Sequence, residues 1–397
     1  MPNYKYLMVG GGMTADAAIG GIRDVDKAGS IGLIGSETQP PYNRPPLTKG
    51  LWKGKPLSSI WRKTDLSGVT LHLGRTVREL DPRLKRVTDD QGTEYGYEKL
   101  LLATGGTPRR LEFGGEQVIY YRTLADYERL RALTEKGSHF AVIGGGFIGS
   151  EIAAALAMNG KKVTLIIPEE AICARLFPSD LAEFVNDYYH KKGVEVLTHQ
   201  RGVGLEVQGN QLVLSIANTS TKEAKKLSAD AVLAGVGILP NTELAQQAGL
   251  KVENGIHVDS ALRTSQPDIF AAGDVANFED RTLGKRRRVE HEDNANTMGR
   301  LAGQSMAGKA VSYDHLPYFY SDLFDLGYEA VGETDSKLET FADWQEPFRK
   351  GVVYYLSEGR VRGVLLWNVW EQVKPARRLI AERGPFKPQD LKGKLPA

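Results

Sequence analysis

A short apolar run that ends in three glycines occurs twice in this chain. Tyr6-Leu-Met-Val-Gly-Gly-Gly12 returns as Phe140-Ala-Val-Ile-Gly-Gly-Gly146. After each run a helical pattern follows, over Ala15 to Arg23 and over Phe147 to Asn159. Each helix leads to a second apolar run, Ile31-Gly-Leu-Ile34 and Val163-Thr-Leu-Ile-Ile167. Strand, helix, strand, twice over, implies parallel sheets with each glycine turn at the carboxyl edge of its sheet, where ligands bind.

The spacing inside the turns points to a phosphate ligand. One glycine permits the sharp turn, one lets the backbone approach a pyrophosphate, and the third packs the helix onto the strand. Gly144-x-Gly146-x-x-Gly149 carries all three, and Gly10-x-Gly12-x-x-Ala15 has alanine as the third. The helix that follows offers free N–H groups and the positive end of its dipole. An acid follows the second strand of each unit, Glu37 and Glu169, placed to accept hydrogen bonds from ribose hydroxyls. Two dinucleotide cradles in one chain suggest FAD and NADH, a fixed flavin and a mobile hydride donor. Glu169 also welcomes a free 2′-hydroxyl and repels a 2′-phosphate, so NADH is expected over NADPH.

Composition excludes several other classes. Net charge is +2, too small for a nucleic-acid binder driven by phosphate neutralisation. Lys285-Arg-Arg-Arg288 reads as a solvated or locally anion-facing loop. Cys173 is the only cysteine, so a disulfide redox pair and a cysteine-based metal cluster are both excluded, and no metal site is expected. No apolar run reaches the roughly 18 residues of a membrane span. The amino terminus lacks a signal or transit pattern, which sets a cytoplasmic expectation.

The expected fold class is α/β, with two Rossmann-like nucleotide-binding domains and a small α+β carboxyl-terminal domain containing an antiparallel sheet. Arg86-Val-Thr88 and Glu94 to Tyr97 form a hairpin around Asp89 to Gly92. Breaker clusters at Gly105-Gly-Thr-Pro108 and Gly235-Val-Gly237-Ile-Leu-Pro240 mark hinges. They divide the chain into a first FAD-binding segment, 1–114, an NADH-binding domain, 115–236, a second FAD-binding segment, 237–309, and a carboxyl-terminal domain, 310–397. In the last, alternating runs at Glu329 to Gly332, Val352 to Leu356 and Val361 to Leu366 predict strands, and Lys374 to Glu382 a closing helix.

Further motifs carry a resemblance. Pro41-Tyr-Asn-Arg44-Pro-Pro-Leu-Thr-Lys49, Ala103-Thr-Gly105-Gly-Thr-Pro108, Ala272-Gly-Asp274 and Val289-Glu-His291-Glu-Asp-Asn294 resemble the apoptosis-inducing-factor-like FAD/NADH oxidoreductases, of ferredoxin-reductase type. Gly299-Arg-Leu-Ala-Gly303, Gly327 to Val331, Lys350 to Tyr355 and Leu366-Trp-Asn368 extend it, from about residue 4 to about 383. The resemblance implies a glutathione-reductase-like fold with tightly held FAD. It places Glu37 at the adenosine ribose of FAD, and Asp274 at the ribityl chain and at the start of the helix after it. Arg44, Lys49 and Arg122 would line the flavin, while Phe147, Glu151, Glu169, Gly237 and Tyr320 would face NADH. Glu290 and His291 would lie near the flavin and nicotinamide rings. The catalytic set it implies is Lys49, Glu151 and His291, with a Lys49–Glu151 pair at the flavin N5 edge. Glu151 also reads on its own as a first-turn acid on the second helix.

Two departures stand out. Tyr320 in Phe319-Tyr-Ser-Asp322 replaces the usual family tryptophan, and Leu338 to Lys350 reads as a short bridge where the animal proteins carry a long insertion. The electron acceptor is open at this stage among ferredoxin, quinone and oxygen. An NADH-dependent homodimer acting as a redox sensor is a further alternative.

Overall fold

The first repeat folds as its pattern requires. In the computed structural model, which describes residues 1–209 and 211–396 apart from the side chains of 65 and 66, strand Asn3–Val9 lies at the centre of a seven-stranded sheet. It pairs in parallel with Ile31–Gly35 on one side and Glu94–Leu102 on the other. Ile269–Ala271 also runs parallel to Glu94–Leu102. The expected hairpin forms between Arg86–Asp89 and the start of Glu94–Leu102. Asp89 ties its turn by accepting the N–H groups of Gln91 and Thr93.

Helix Met13–Val25 buries Ala15, Ala18, Ile19 and Ile22 on one face. Its neighbour is helix Glu292–Met306, met at very close range. A Cβ on Gly299 would fall 2.4 Å from the Thr14 carbonyl oxygen, and one on Gly303 would fall 1.9 Å from that of Ala18. The Gly299-Arg-Leu-Ala-Gly303 motif is therefore a helix-crossing device, because only glycine lets these backbones touch. These elements belong to one compact unit, Met1–Asn43, Ser58–Thr107 and Leu239–Phe319.

The second repeat gives a five-stranded parallel sheet in the order Val194–Leu197, Lys162–Ile166, His139–Ile143, Ala231–Ala234, Val118–Ile119. An antiparallel ribbon of Gln200–Gln208, Gln211–Asn218 and Ala224–Ala229 accompanies it. The carboxyl-terminal sheet runs Tyr318–Leu323, Leu326–Gly332, Arg360–Trp367, Lys350–Ser357, Glu339–Glu346, with helix Val373–Ala381 after it. The expected bridge from Leu338 to Lys350 is instead largely an edge strand, because its alternating residues pair with Lys350–Ser357. Beyond the helix, Leu391 and Leu395 are buried, and the Leu395 N–H donates to the Tyr354 hydroxyl.

The second compact unit comprises Arg44–Leu57, Pro108–Ile238 and Tyr320–Ala397. Phe177 explains part of this grouping. It is fully buried, edge-on to both Tyr328 and Trp367 at 5.3 Å. Segment 44–57 joins the same unit through Trp52, whose ring meets Tyr127 edge-on at 5.6 Å and is covered by Arg131, while its indole N–H donates to the Leu47 carbonyl. Among the described residues, no helix is long and apolar enough to cross a membrane.

Candidate functional site

The first cradle sits where four strands end together. Val9 and Ala271 both align with Leu102 across the sheet, and Val9 aligns with Ile34. The turns carrying Gly10 to Gly12, Glu37 and Asp274 therefore share one sheet edge. Gly10 has φ 122°, and a Cβ there would fall 2.1 Å from the Ala103 carbonyl oxygen. Gly12 faces open space, with nothing within 4 Å of a Cβ, and it caps its helix without any side-chain bond. Free N–H groups and an open face are what a pyrophosphate requires. Ala15 is fully buried at the third position. The nearby first-turn acid, Asp16, does not oppose an anion, because Arg62 pairs with it at 2.6 Å. Arg62 also bonds Asn43 and Asn296.

Glu37 accepts a 2.5 Å bond from the Tyr42 hydroxyl, which orients the carboxylate. Asp274 lies in a 3-10 turn, Gly273–Val275. The expected helix directly after it is absent, since strand Ala276–Asp280 follows. The pairing of that strand with Lys285–Arg287 takes its place. Arg288 donates to the Asp274 carbonyl at 2.9 Å and pairs with Glu290 at 2.5 Å. Arg287 pairs with Asp280, and Arg286 bonds the Val258 carbonyl. The basic run is thus exposed at Lys285 and Arg286 and paired with nearby carboxylates at Arg287 and Arg288, the solvated, locally anion-facing loop its sequence led one to expect. His291 stacks on Phe319 with centroids 4.3 Å apart. Burial pushes its pKa down to about 4, with Asp274 pulling the other way and Arg287 reinforcing it.

The second cradle repeats the geometry. Ile143 aligns with both Ile166 and Ala234, so the turns carrying Gly144 to Gly146, Glu169 and Gly237 share an edge. Gly144 has φ 104°, and Gly146 faces open space. A Cβ on Gly149 would fall 1.8 Å from the Gly144 carbonyl oxygen. Cys173 braces the loop through its N–H on the Gly145 carbonyl, and burial pushes its thiol up to about 12. Glu169 receives Arg175 at 2.9 Å. The Gly237 carbonyl accepts the Arg109 N–H.

Glu151 is the centre of the second unit's polar chemistry. It is the fifth residue of helix Phe147–Met158, past the first turn, so the expected dipole argument does not apply. Its side chain is only 5% exposed, and three donors hold it instead. Lys49 and Ser321 reach one oxygen at 2.5 and 2.6 Å, and Thr48 reaches the other at 2.5 Å. The Lys49 ammonium lies 5.2 Å from the Tyr320 ring centroid. Arg44 donates to the Arg122 carbonyl at 2.9 Å, and Phe147 is half-buried at the helix start. Thr48, Ser321, Tyr42 and Arg62 are site neighbours that sequence patterns did not single out. The only local signal was that Thr48 adjoins Lys49 and Ser321 adjoins Tyr320.

Residues 4–299 match the pyridine nucleotide-disulphide oxidoreductase family, and 302–347 and 342–382 match the carboxyl-terminal domain of mitochondrion-associated apoptosis-inducing factor. The chain is 35% identical to apoptosis-inducing factor 1 of Dictyostelium discoideum, over 96% of this chain and 79% of that protein. It is 33% identical to the ferredoxin reductase subunit of 5,5′-dehydrodivanillate O-demethylase from Sphingobium sp., over 96% and 94%. Its fold superposes on the reductase of a covalent putidaredoxin reductase–putidaredoxin complex with TM-score 0.90 and 29% identity, covering 98% of this chain and 96% of that one. The chain belongs to the pyridine nucleotide-disulphide oxidoreductase family, among its apoptosis-inducing-factor-like and ferredoxin-reductase-like members, and is an FAD-dependent NAD(P)H oxidoreductase.

Proposed function

We propose that this enzyme takes hydride specifically from NADH and passes the electrons to a small ferredoxin-type iron–sulfur protein. The observation that carries the donor half is the doubled cradle, with Glu169 on a turn at the same sheet edge as Gly144 to Gly146. Bound FAD supplies the step between a two-electron donor and an electron acceptor. Segments 1–114 and 237–309 hold it, with Gly10, Gly12 and Ala15 at the pyrophosphate, Glu37 at the ribose and Asp274 at the ribityl chain. Arg44, Lys49 and Arg122 line the flavin, and Glu290 and His291 lie toward the rings.

Segment 115–236 holds NADH. Gly144, Gly146 and Gly149 take the pyrophosphate, and Phe147, Gly237 and Tyr320 take the nicotinamide half. The Lys49–Glu151 pair, with 13% and 5% of its side chains exposed, sets the local field in which hydride arrives. Segment 310–397 frames the acceptor side. Ferredoxin is favoured by the near full-length similarity to a ferredoxin reductase subunit. Anaerobic stopped-flow mixing with NADH and NADPH, followed by a small [2Fe–2S] ferredoxin, tests both halves. Fast bleaching by NADH alone and fast ferredoxin reduction are expected. Equal rates with both cofactors would refute the donor half, and an inert ferredoxin the acceptor half.

A further inference from the structure

We infer that Thr48 and Ser321 are positioning residues for Glu151, and that the dipeptides Thr48–Lys49 and Tyr320–Ser321 form one clamp on the Lys49–Glu151 pair. The inference rests on the assignment of that pair to the hydride site made above.

Both hydroxyls are buried, Thr48 at 6% exposure and Ser321 at 0%. Thr48 takes one carboxylate oxygen, and Ser321 shares the other with Lys49, so rotation of the carboxylate is pinned from both sides. An ammonium on a four-carbon stem is a point charge that cannot fix this orientation alone. Hydroxyl donors add no charge, so they fix the orientation of the Glu151 carboxylate without cancelling its field. The clamp grips each partner with a neighbour of the other's holder. Tyr320 faces the cation and Ser321 the anion, while Thr48 and Lys49 both reach the anion. Among the described residues, the groups with shifted pKa that feel the charge of Glu151 are Cys173, Tyr189 of helix Ser179–Lys191 and Tyr328 of strand Leu326–Gly332. Burial raises the pKa of all three, which keeps them neutral.

The test uses the FAD-loaded enzyme carrying Ser321→Ala, Thr48→Val, Thr48→Ser or Ser321→Ala with Thr48→Val, and Glu151→Gln as reference. Two quantities are read: the flavin midpoint potential, and kcat against KM for NADH. Ser321→Ala and Thr48→Val should each slow reduction roughly tenfold at saturating NADH, with KM little changed. In the double variant reduction should slow further than in either single variant. The midpoint potential should move in the same direction as in Glu151→Gln, and Thr48→Ser should restore both readouts. Thr48→Val and Thr48→Ser carry the test if Ser321→Ala loses FAD. An unmoved potential and an unmoved kcat in Thr48→Val and the double variant, beside a clear change in Glu151→Gln, overturn the clamp and leave the ion-pair reading standing. No change in Glu151→Gln itself overturns both.

Discussion

Glu169 and Arg175 face each other at 2.9 Å at the edge of the second cradle, where the proposed function puts the choice between NADH and NADPH. The Arg175 side chain is 89% exposed, so the carboxylate, not burial, holds it in place. Glu169→Ala removes the repulsion of a 2′-phosphate and releases a guanidinium suited to bind one. The preference in kcat/KM for NADH over NADPH should fall at least about tenfold, read by steady-state kinetics with each cofactor. An unchanged ratio would remove Glu169 from this role. His291 makes a second residue-scale prediction. Its folded pKa, about 4, lies below the ordinary histidine value of 6.5, so the native state holds it neutral. Above pH 6.5 the unfolded chain is also neutral there, and the native state keeps its full stability. As pH falls from 6.5 toward 4, only the unfolded state gains the proton and stability declines. Denaturant titrations from pH 7 to 4.5 should show a shallower acid loss in His291→Gln than in the parent. Equal slopes would show that burial of this imidazole carries no such cost.

At the scale of elements, two contacts decide whether the cradles are held. The crossing of Met13–Val25 over Glu292–Met306 leaves no space for a methyl group at Gly303. Gly303→Ala should destabilise the protein by about 1–3 kcal/mol, as overpacking of a filled interior does. Thermal unfolding should register this, and FAD should be retained less well, because the helix it crosses, Met13–Val25, opens at Gly12. Phe177 is the corresponding anchor in the second unit, between Tyr328 and Trp367. Phe177→Ala removes a fully buried ring and should cost about 3–5 kcal/mol in urea unfolding. A loss below 1 kcal/mol would mean that the carboxyl-terminal sheet is held mainly by other contacts.

For the molecule as a whole, the single cysteine separates this chain from the disulfide chemistry in its family's name. Cys173 has no partner thiol in the sequence, and its own thiol is held protonated by burial. Electrons therefore leave for an external acceptor without passing through a protein disulfide. With NADH present, a dithiol-linked substrate such as an oxidised thioredoxin-type protein should be turned over no faster than background. A small ferredoxin should be reduced at least about a hundredfold faster, a gap of at least about 2.7 kcal/mol in barrier height. Parallel assays of thiol release and iron–sulfur bleaching make the comparison directly.

The glycine turns, their strands and the acids Glu37 and Glu169 were legible in the chain alone. Each cradle is written in a few dozen consecutive residues, where hydrophobic period, φ-permissive glycines and strand-end acids are local properties. The Lys49–Glu151 pair came through resemblance, and its geometry did not. Ser321 meets Glu151 across 170 residues and Thr48 across 103, so no short-range pattern connects them. Local reading also failed where packing overrode it. The residues after Asp274 pair as a strand instead of winding into a helix, and the stretch after Leu338 becomes an edge strand. Sequence thus determined the two nucleotide folds and the chemistry they can host, because backbone torsion and period are set by neighbours. Tertiary structure alone decided which hydroxyls surround a buried carboxylate, since that depends on where distant segments are brought to rest.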